Sequence, residues 1–287
     1  MPDHISLWQL RLAICQPLQQ FANVRPTKVF KGTQSPLRNC ADGQLDWVII
    51  RENSEGEYAG HGGISHKGMP WETATEVSIF TRHGVERIMK FAFETAQKRP
   101  KKHITVVTKS NAQRNGMVMW DSIAAEVAKD FPDVTVDKML VDAMTTRMVL
   151  KPGKALSSEH LQTPFHESSH TFLHHTYHPT FSRLTKSFPE TLDTIVATNL
   201  VSHEPLLLFS RLALTILQHA DILSDLAAAL AGSIGIAPTS NLDPTRENPS
   251  MFEPIHGSAF DITGMGIGEF QFSQAHRKRK DLGANRL

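Results

Sequence analysis

The sequence predicts an α/β fold, and three observations carry that reading. Short apolar runs alternate along the chain with longer stretches of helical periodicity. Several of these short runs open into a polar or glycine-bearing turn, as strands of such folds do. At 287 residues and 40% hydrophobic the chain has enough material for one large domain or two smaller ones.

The elements follow in order. Val48 to Ile50, after "DGQLDW", is a short apolar run and reads as a strand. The polar, glycine-rich "RENSEGEYAGHGG" behind it reads as a loop. Arg82 to Gln97 carries Val85, Ile88, Met89, Ala92 and Phe93 on one helical face, and Pro100 ends it. "HITVVTKSN" is a strand running into a turn. "GMVMWDSIAAEVAKDF" is a helix with Met117, Ile123, Ala124 and Val127 inside. "VTVDKMLVDAMTTRMVLKP" is a strand leading into a helix, and "TLDTIVATNL" is a strand. "HADILSDLAAALAGSIG" is a helix ending at Gly232 or Gly235. Two segments break the alternation. Gly153–Pro189 is rich in His, Ser, Thr and Pro without a sustained period, and Val201–Gln218 is apolar without amphipathic order.

Composition removes several function classes. A net charge of +1 offers no electrostatic case for nucleic acid or a membrane surface. Cys15 and Cys40 are too few for a disulfide framework, which points to the cytoplasm, with the mitochondrion as the alternative. "MPDHISLWQL" lacks the pattern of a signal peptide. The apolar run Pro205 to Leu217 is too short to span a bilayer and contains Arg211.

Asp221 and Asp225, four apart in "HADILSDLA", share a helix face, as a hard divalent cation requires of oxygen ligands. Solvated helix carboxylates are the plain alternative. Asp142 in "LVDAMTTR" offers a third carboxylate, or a helix cap. Arg51, Glu52, Glu55, Glu57 and Tyr58 follow a strand, where α/β proteins keep their chemistry. Lys109 closes another strand. Arg25, before Pro26, is a natural clamp for a carboxylate. "HESSH", His166 to His170, matches the H-E-x-x-H zinc pattern, and His174 and His178 follow it. Two serines at its centre and the flanking Pro164 and Pro179 argue against the helix that zinc chemistry needs.

Taken together, "PDHISLW", "NVRP", "IIRENSEGEYAG", "IFTRHGVERI", "VTKSN", "VDAMTTRMV", "HADILSDLAAAL", "GSIGIAPTSNL" and "FEPIHGSAFDI" resemble the β-decarboxylating dehydrogenases. That family acts on isopropylmalate, isocitrate, homoisocitrate, and tartrate or D-malate; the opening motif with "ENSEGEYAG" looks most like the tartrate/D-malate branch. The resemblance covers Pro2 to Pro152, Glu190 to Leu200, and His219 to about Ile267. It implies an isopropylmalate-dehydrogenase-like two-domain α/β fold, N- and C-terminally incomplete. Residues 1–20 and 232–287 would be remnants of a dinucleotide-binding domain, and 21–231 a central substrate and dimerisation domain.

In that family the residues matching Pro152 and Glu190 adjoin, as do those matching Leu200 and His219. Gly153–Pro189 and Val201–Gln218 fall in these two joints, and both read as aberrant insertions. "GK" can contain GTAAG and "VS" can be GTGAGT, both intron starts; Gln218 can be CAG. Leu184-Thr185 and Leu214-Thr215 can hold CTAAC, a branch point. The expectation is two translated introns, with a third from about Gly268 giving the aberrant tail.

The resemblance implies NAD-dependent oxidation, with or without decarboxylation, of a 2-hydroxy dicarboxylic acid, assisted by Mg²⁺ or Mn²⁺ in a homodimer. Asp221 and Asp225, with Asp142 from the second subunit, would hold the metal. Arg25 and Arg51 would clamp carboxylates. Lys109, also from the partner chain, would be the general base, and Tyr58 would protonate the enolate. Asn111 would lie near the nicotinamide; His256, Gly257, Ser258, Ala259 and Asp261 would form the adenosine-side loop. The sequence departs from the family at Cys15, which stands in an arginine slot; Arg11, one helical turn earlier, is the candidate replacement. Phe260 stands where the family has Pro. The alternatives are a catalytically inactive fragment of such an enzyme, favoured for the polypeptide as written, and a His-rich zinc module.

Overall fold

The computed structural model describes residues 3–30, 32–38, 40, 45–152, 210–257 and 265. The chain opens on a helical run: α1 (Asp3–Ser6), a π-helical turn (Leu7–Arg11) and α2 (Leu12–Cys15). Strands β1 (Ala22–Lys28) and β2 (Asp46–Glu52) follow, then β3 (Gly56–Ser65) and β4 (Thr73–Ile79). Helix and strand then alternate through α3 (Arg82–Gln97), β5 (His103–Thr108), α4 (Gly116–Val127), β6 (Thr135–Leu140) and α5 (Val141–Leu150). The remaining elements are β7 (Ser210–Thr215), α6 (Leu217–Leu230), β8 (Pro238–Leu242) and β9 (Met251–Pro254).

Seven strands form one sheet in the order β6-β5-β7-β2-β1-β8-β9. The run β6, β5, β7, β2 is parallel, and β1, β8 and β9 add antiparallel steps. Helices cover both faces. On one, Val85, Ile88 and Phe93 of α3 and Met117 and Trp120 of α4 pack on Val48, Ile50, Val106 and Leu214. On the other, Met144 and Met148 of α5 and Leu223 and Ala227 of α6 pack on Trp47, Ile49, Val107 and Ala213. This explains why β2 reads as a continuous apolar run: in a parallel strand both faces are buried. Each fully buried large side chain there contributes about 1.5–3 kcal/mol relative to exposure.

The helices fall where periodicity places them. Thr81 caps α3 by accepting a hydrogen bond from the Gly84 N–H. The α6 helix ends before Gly232, whose φ of 104° is the left-handed conformation that glycine alone adopts cheaply.

Two expectations are corrected. The stretch read as a loop behind β2 is largely strand: Gly56–Ser65 pairs antiparallel with β4 in a two-stranded ribbon beside the main sheet. Its glycines lower strand propensity, but pairing to Thr73–Ile79 overrides that. The second correction concerns Val201–Gln218, expected to stand outside the fold as an insertion. Ser210–Thr215 is instead the central strand β7, hydrogen-bonded to both β2 and β5, with Leu212, Ala213 and Leu214 fully buried. The physical reason is that a parallel slot accepts any short apolar run that leads directly into the next helix. Leu212, Leu214 and Ile216 face one core and Ala213 the other. Gly153–Pro189, the strand expected at Thr191–Leu200, the histidines of the zinc pattern and most of the chain beyond Gly257 lie outside the described residues.

Candidate active site at the carboxyl edge of the sheet

The four parallel strands end at one edge, which is where open α/β sheets bind ligands. Asp142 opens α5 after β6, Lys109 follows β5, Asp221 and Asp225 lie on α6 after β7, and Arg51 is near the end of β2. The structure brings one group of these together. Arg25 Nη1 lies 3.0 Å from Asp221 Oδ1 and 4.0 Å from Asp225 Oδ1. Arg51 Nη1 donates to the same Asp221 oxygen at 2.7 Å, and its Nη2 donates to the Tyr58 hydroxyl at 3.0 Å. Both arginines are buried, while the two aspartates keep about half of their side-chain surface open.

The electrostatics follow from this packing. Burial, aided by the neighbouring Arg51 charge, pushes Arg25 down to about 10. Burial disfavours the charge on Arg51 too, but Asp221 and Tyr58 outweigh it and hold its pKa above the usual arginine value. For Asp221, burial acts upward, but Arg51, Arg25 and Arg11 win and keep the carboxylate below its ordinary range. Asp225 is pushed up to about 6, by burial first, with the Asp221 charge adding to it. Its Oδ1 is buried without a hydrogen-bond partner. An orphaned carboxylate oxygen one turn from a second carboxylate is an arrangement a hard cation satisfies.

Arg11 also enters this group. Its Nη1 donates to the Tyr58 hydroxyl at 3.1 Å, its Nη2 to Asn53 and Asn241, and its Nε to Glu253. Cys15, in the slot where an arginine was expected, is buried, and burial pushes its thiol up to about 11. A neutral thiol offers no clamp for an anion.

A second group stands apart. Lys109 Nζ lies 3.1 Å from Asp142 Oδ1. Among the described residues, no three His, Cys, Asp or Glu side chains of this one chain gather closely enough to hold a metal. Asp142 therefore does not complete the Asp221–Asp225 pair within a single chain. Asn111 is exposed in the turn after β5. His256 and Gly257 lie in the turn after β9; Gly257 has a φ of +69°, and among the described residues nothing lies within 4 Å of where its Cβ would stand. Ser258, Ala259 and Asp261 lie outside the described residues.

Sequence reasoning missed Asn53, Asn241, Glu253 and Ser224. Ser224 accepts from Arg25 Nη1. The available signal was asparagine inside strand-like segments, since a buried amide must find partners.

The pattern of motifs that builds this edge is a family pattern. The family model described as "Isocitrate/isopropylmalate dehydrogenase" matches residues 4–156 and 195–270. The chain belongs to this family. A probable tartrate dehydrogenase/decarboxylase of Agrobacterium vitis is 60% identical over 267 residues, covering 93% of this chain and 59% of that protein. The D-malate dehydrogenase [decarboxylating] of Escherichia coli is 35% identical, covering 96% of this chain and 66% of that protein. The crystal structure of isocitrate dehydrogenase from Methylococcus capsulatus superposes with a TM-score of 0.68 at 26% identity, covering 96% of this chain and 63% of that one. The chain thus spans roughly three fifths to two thirds of these relatives. The fold is that of the isocitrate dehydrogenase-like α/β enzymes.

Proposed function

We propose that this chain carries the substrate and metal site of a dehydrogenase that oxidises a 2-hydroxy dicarboxylic acid, tartrate or D-malate, with NAD and Mg²⁺ or Mn²⁺, in the cytoplasm as a homodimer. The observation that carries this is the Asp221–Asp225 pair facing Arg25, Arg51 and Tyr58. The family and the names of the similar proteins support the substrate class.

The chain's own residues divide the work. Arg25 and Arg51, buried and cationic, bind the substrate carboxylates that displace or share Asp221. Asp221 and Asp225 would hold the divalent ion, with the second subunit's copy of Asp142 as the third carboxylate. That ion would acidify the substrate hydroxyl and stabilise negative charge on its oxygen, and NAD would supply the hydride acceptor. Lys109, also from the second subunit, takes the hydroxyl proton through water. Tyr58, held at its oxygen by two guanidinium groups, returns a proton to carbon after carbon dioxide leaves. Asn111, His256 and Gly257, with Ser258, Ala259 and Asp261, would hold the dinucleotide; among the described residues nothing stands within 4 Å of where a Gly257 Cβ would be, which suits a close backbone approach.

The test is binding. Mn²⁺ with tartrate or D-malate should raise the melting temperature and give a saturable calorimetric isotherm. Asp225→Asn should weaken Mn²⁺ binding by roughly tenfold or more, about 1.4 kcal/mol. Unchanged Mn²⁺ affinity in Asp225→Asn would sink the assignment.

A further inference from the structure

We propose that Arg11 is a positioning residue for Tyr58, not a clamp for a substrate carboxylate; this rests on the proposed function of the same site. A guanidinium has five N–H donors, and recognition of a carboxylate uses two adjacent ones as a fork. Four of the five on Arg11 are committed inside the protein. Nε bonds Glu253 Oε1 at 3.1 Å, Nη2 bonds Asn53 Oδ1 at 2.7 Å and Asn241 Oδ1 at 3.1 Å, and Nη1 bonds the Tyr58 hydroxyl at 3.1 Å. The remaining donor sits alone on Nη1 and cannot form a fork.

The charge is committed as well. Glu253 pairs with Arg11 and also accepts from Asn241 Nδ2 at 2.9 Å. Asn241 Oδ1 accepts from Asn23 and Asn53 in addition to Arg11. Arg11 is thus clamped by side chains from the end of β2, from β8 and from β9, and its side chain is only 14% exposed. Such a closed network fixes one geometry, because breaking any member strands a buried polar group. What it delivers to the site is the single bond to the Tyr58 oxygen. Arg51 delivers the second, and both guanidinium carbons lie 5.6 Å from the Tyr58 ring centroid. Two fixed donors leave the phenol oxygen one orientation, which is what a proton donor to a defined carbon requires. Arg11 is also the last residue of the π-helical turn, a rare insertion frequently found at functional positions.

The experiment uses the full chain with Tyr177→Phe, which leaves Tyr58 as the only tyrosine of the two in the sequence. Labelled with ¹³C at the tyrosine ζ carbon, the protein gives one resonance. Arg11→Met should move that resonance, and Arg11→Lys, which can return one donor, should bring it back part of the way. In parallel, the affinity for tartrate with Mn²⁺ should stay within about threefold of the parent in Arg11→Met, whereas losing a carboxylate fork costs roughly tenfold or more. A Tyr58 resonance indifferent to Arg11→Met in a folded protein overturns the proposal, as does a tenfold loss of tartrate affinity. If the parent binds no Mn²⁺–tartrate, the proposed function fails, while the resonance, which needs no ligand, still decides the role of Arg11.

Discussion

Asp46 opens β2 at the end away from Arg51, and it illustrates how a charge can be buried without serving the site. Burial pushes its carboxyl up to about 6, and burial pushes its neighbour Arg99 down to about 10. One Asp46 oxygen and two Arg99 nitrogens are buried without hydrogen-bond partners. The folded-state pKa of Asp46 lies above its ordinary value of 3.8, so the native state binds more protons than the unfolded state between about pH 4 and pH 6. Its contribution to stability therefore falls as pH rises through that window. Asp46→Asn removes this slope. The stability of the variant relative to the parent should grow between pH 4 and pH 7 by up to about 3 kcal/mol, because each pH unit between the two pKa values contributes about 1.4 kcal/mol. Urea unfolding at four pH values checks it, and a pH-independent difference would refute it. Asp225 is raised in the same direction, but that slope is common to both proteins and cancels.

At the scale of elements, β7 is the instructive case. The slot between β5 and β2 demands a short strand apolar on both faces, running straight into α6. Ser210–Thr215 meets that demand. Thr191–Leu200 carries the same kind of pattern eighteen residues earlier, with Thr194, Ile195, Val196, Ala197 and Thr198 matching Leu212 to Ile216. Removing Val201–Gln218 would join Leu200 to His219 and bring those residues into register with the slot. The burial of Ser210–Thr215 as a core strand counts against Val201–Gln218 being a translated intron, and messenger sequence across Leu200 and His219 decides between the two readings. A protein lacking Val201–Gln218 should keep its α/β circular dichroism and melt within about 5 °C of the parent, since β-branched Ile195 and Val196 suit a buried strand. Collapse of that variant would show that only Ser210–Thr215 can fill the slot.

For the whole molecule, the ribbon of β3 and β4 and the division of the site point the same way. Ile64, Met69, Trp71 and Val77 are exposed on or beside the ribbon, with Ile64 and Val77 on its two opposite faces, apolar side chains of the kind that an interaction surface covers. The Lys109–Asp142 pair and the Asp221–Asp225 pair do not meet within one chain. The proposed homodimer, completing each site from the second subunit, would account for both. Sedimentation should show a dimer, and Ile64→Asp with Val77→Asp should give a monomer that also binds Mn²⁺–tartrate more weakly; a parent that sediments as a monomer refutes this. By itself the sequence determined the α/β class, the helices α3, α4, α5 and α6, the Asp221–Asp225 pair and the family, because periodicity and i,i+4 spacing are properties of neighbouring residues. Tertiary structure alone decided that Ser210–Thr215 is the central strand, that Gly56–Ser65 is half of a ribbon, and that Arg11 is tied to Asn53, Asn241 and Glu253. Those outcomes depend on partners up to 242 residues away, whose competition for one slot or one guanidinium has no local signature.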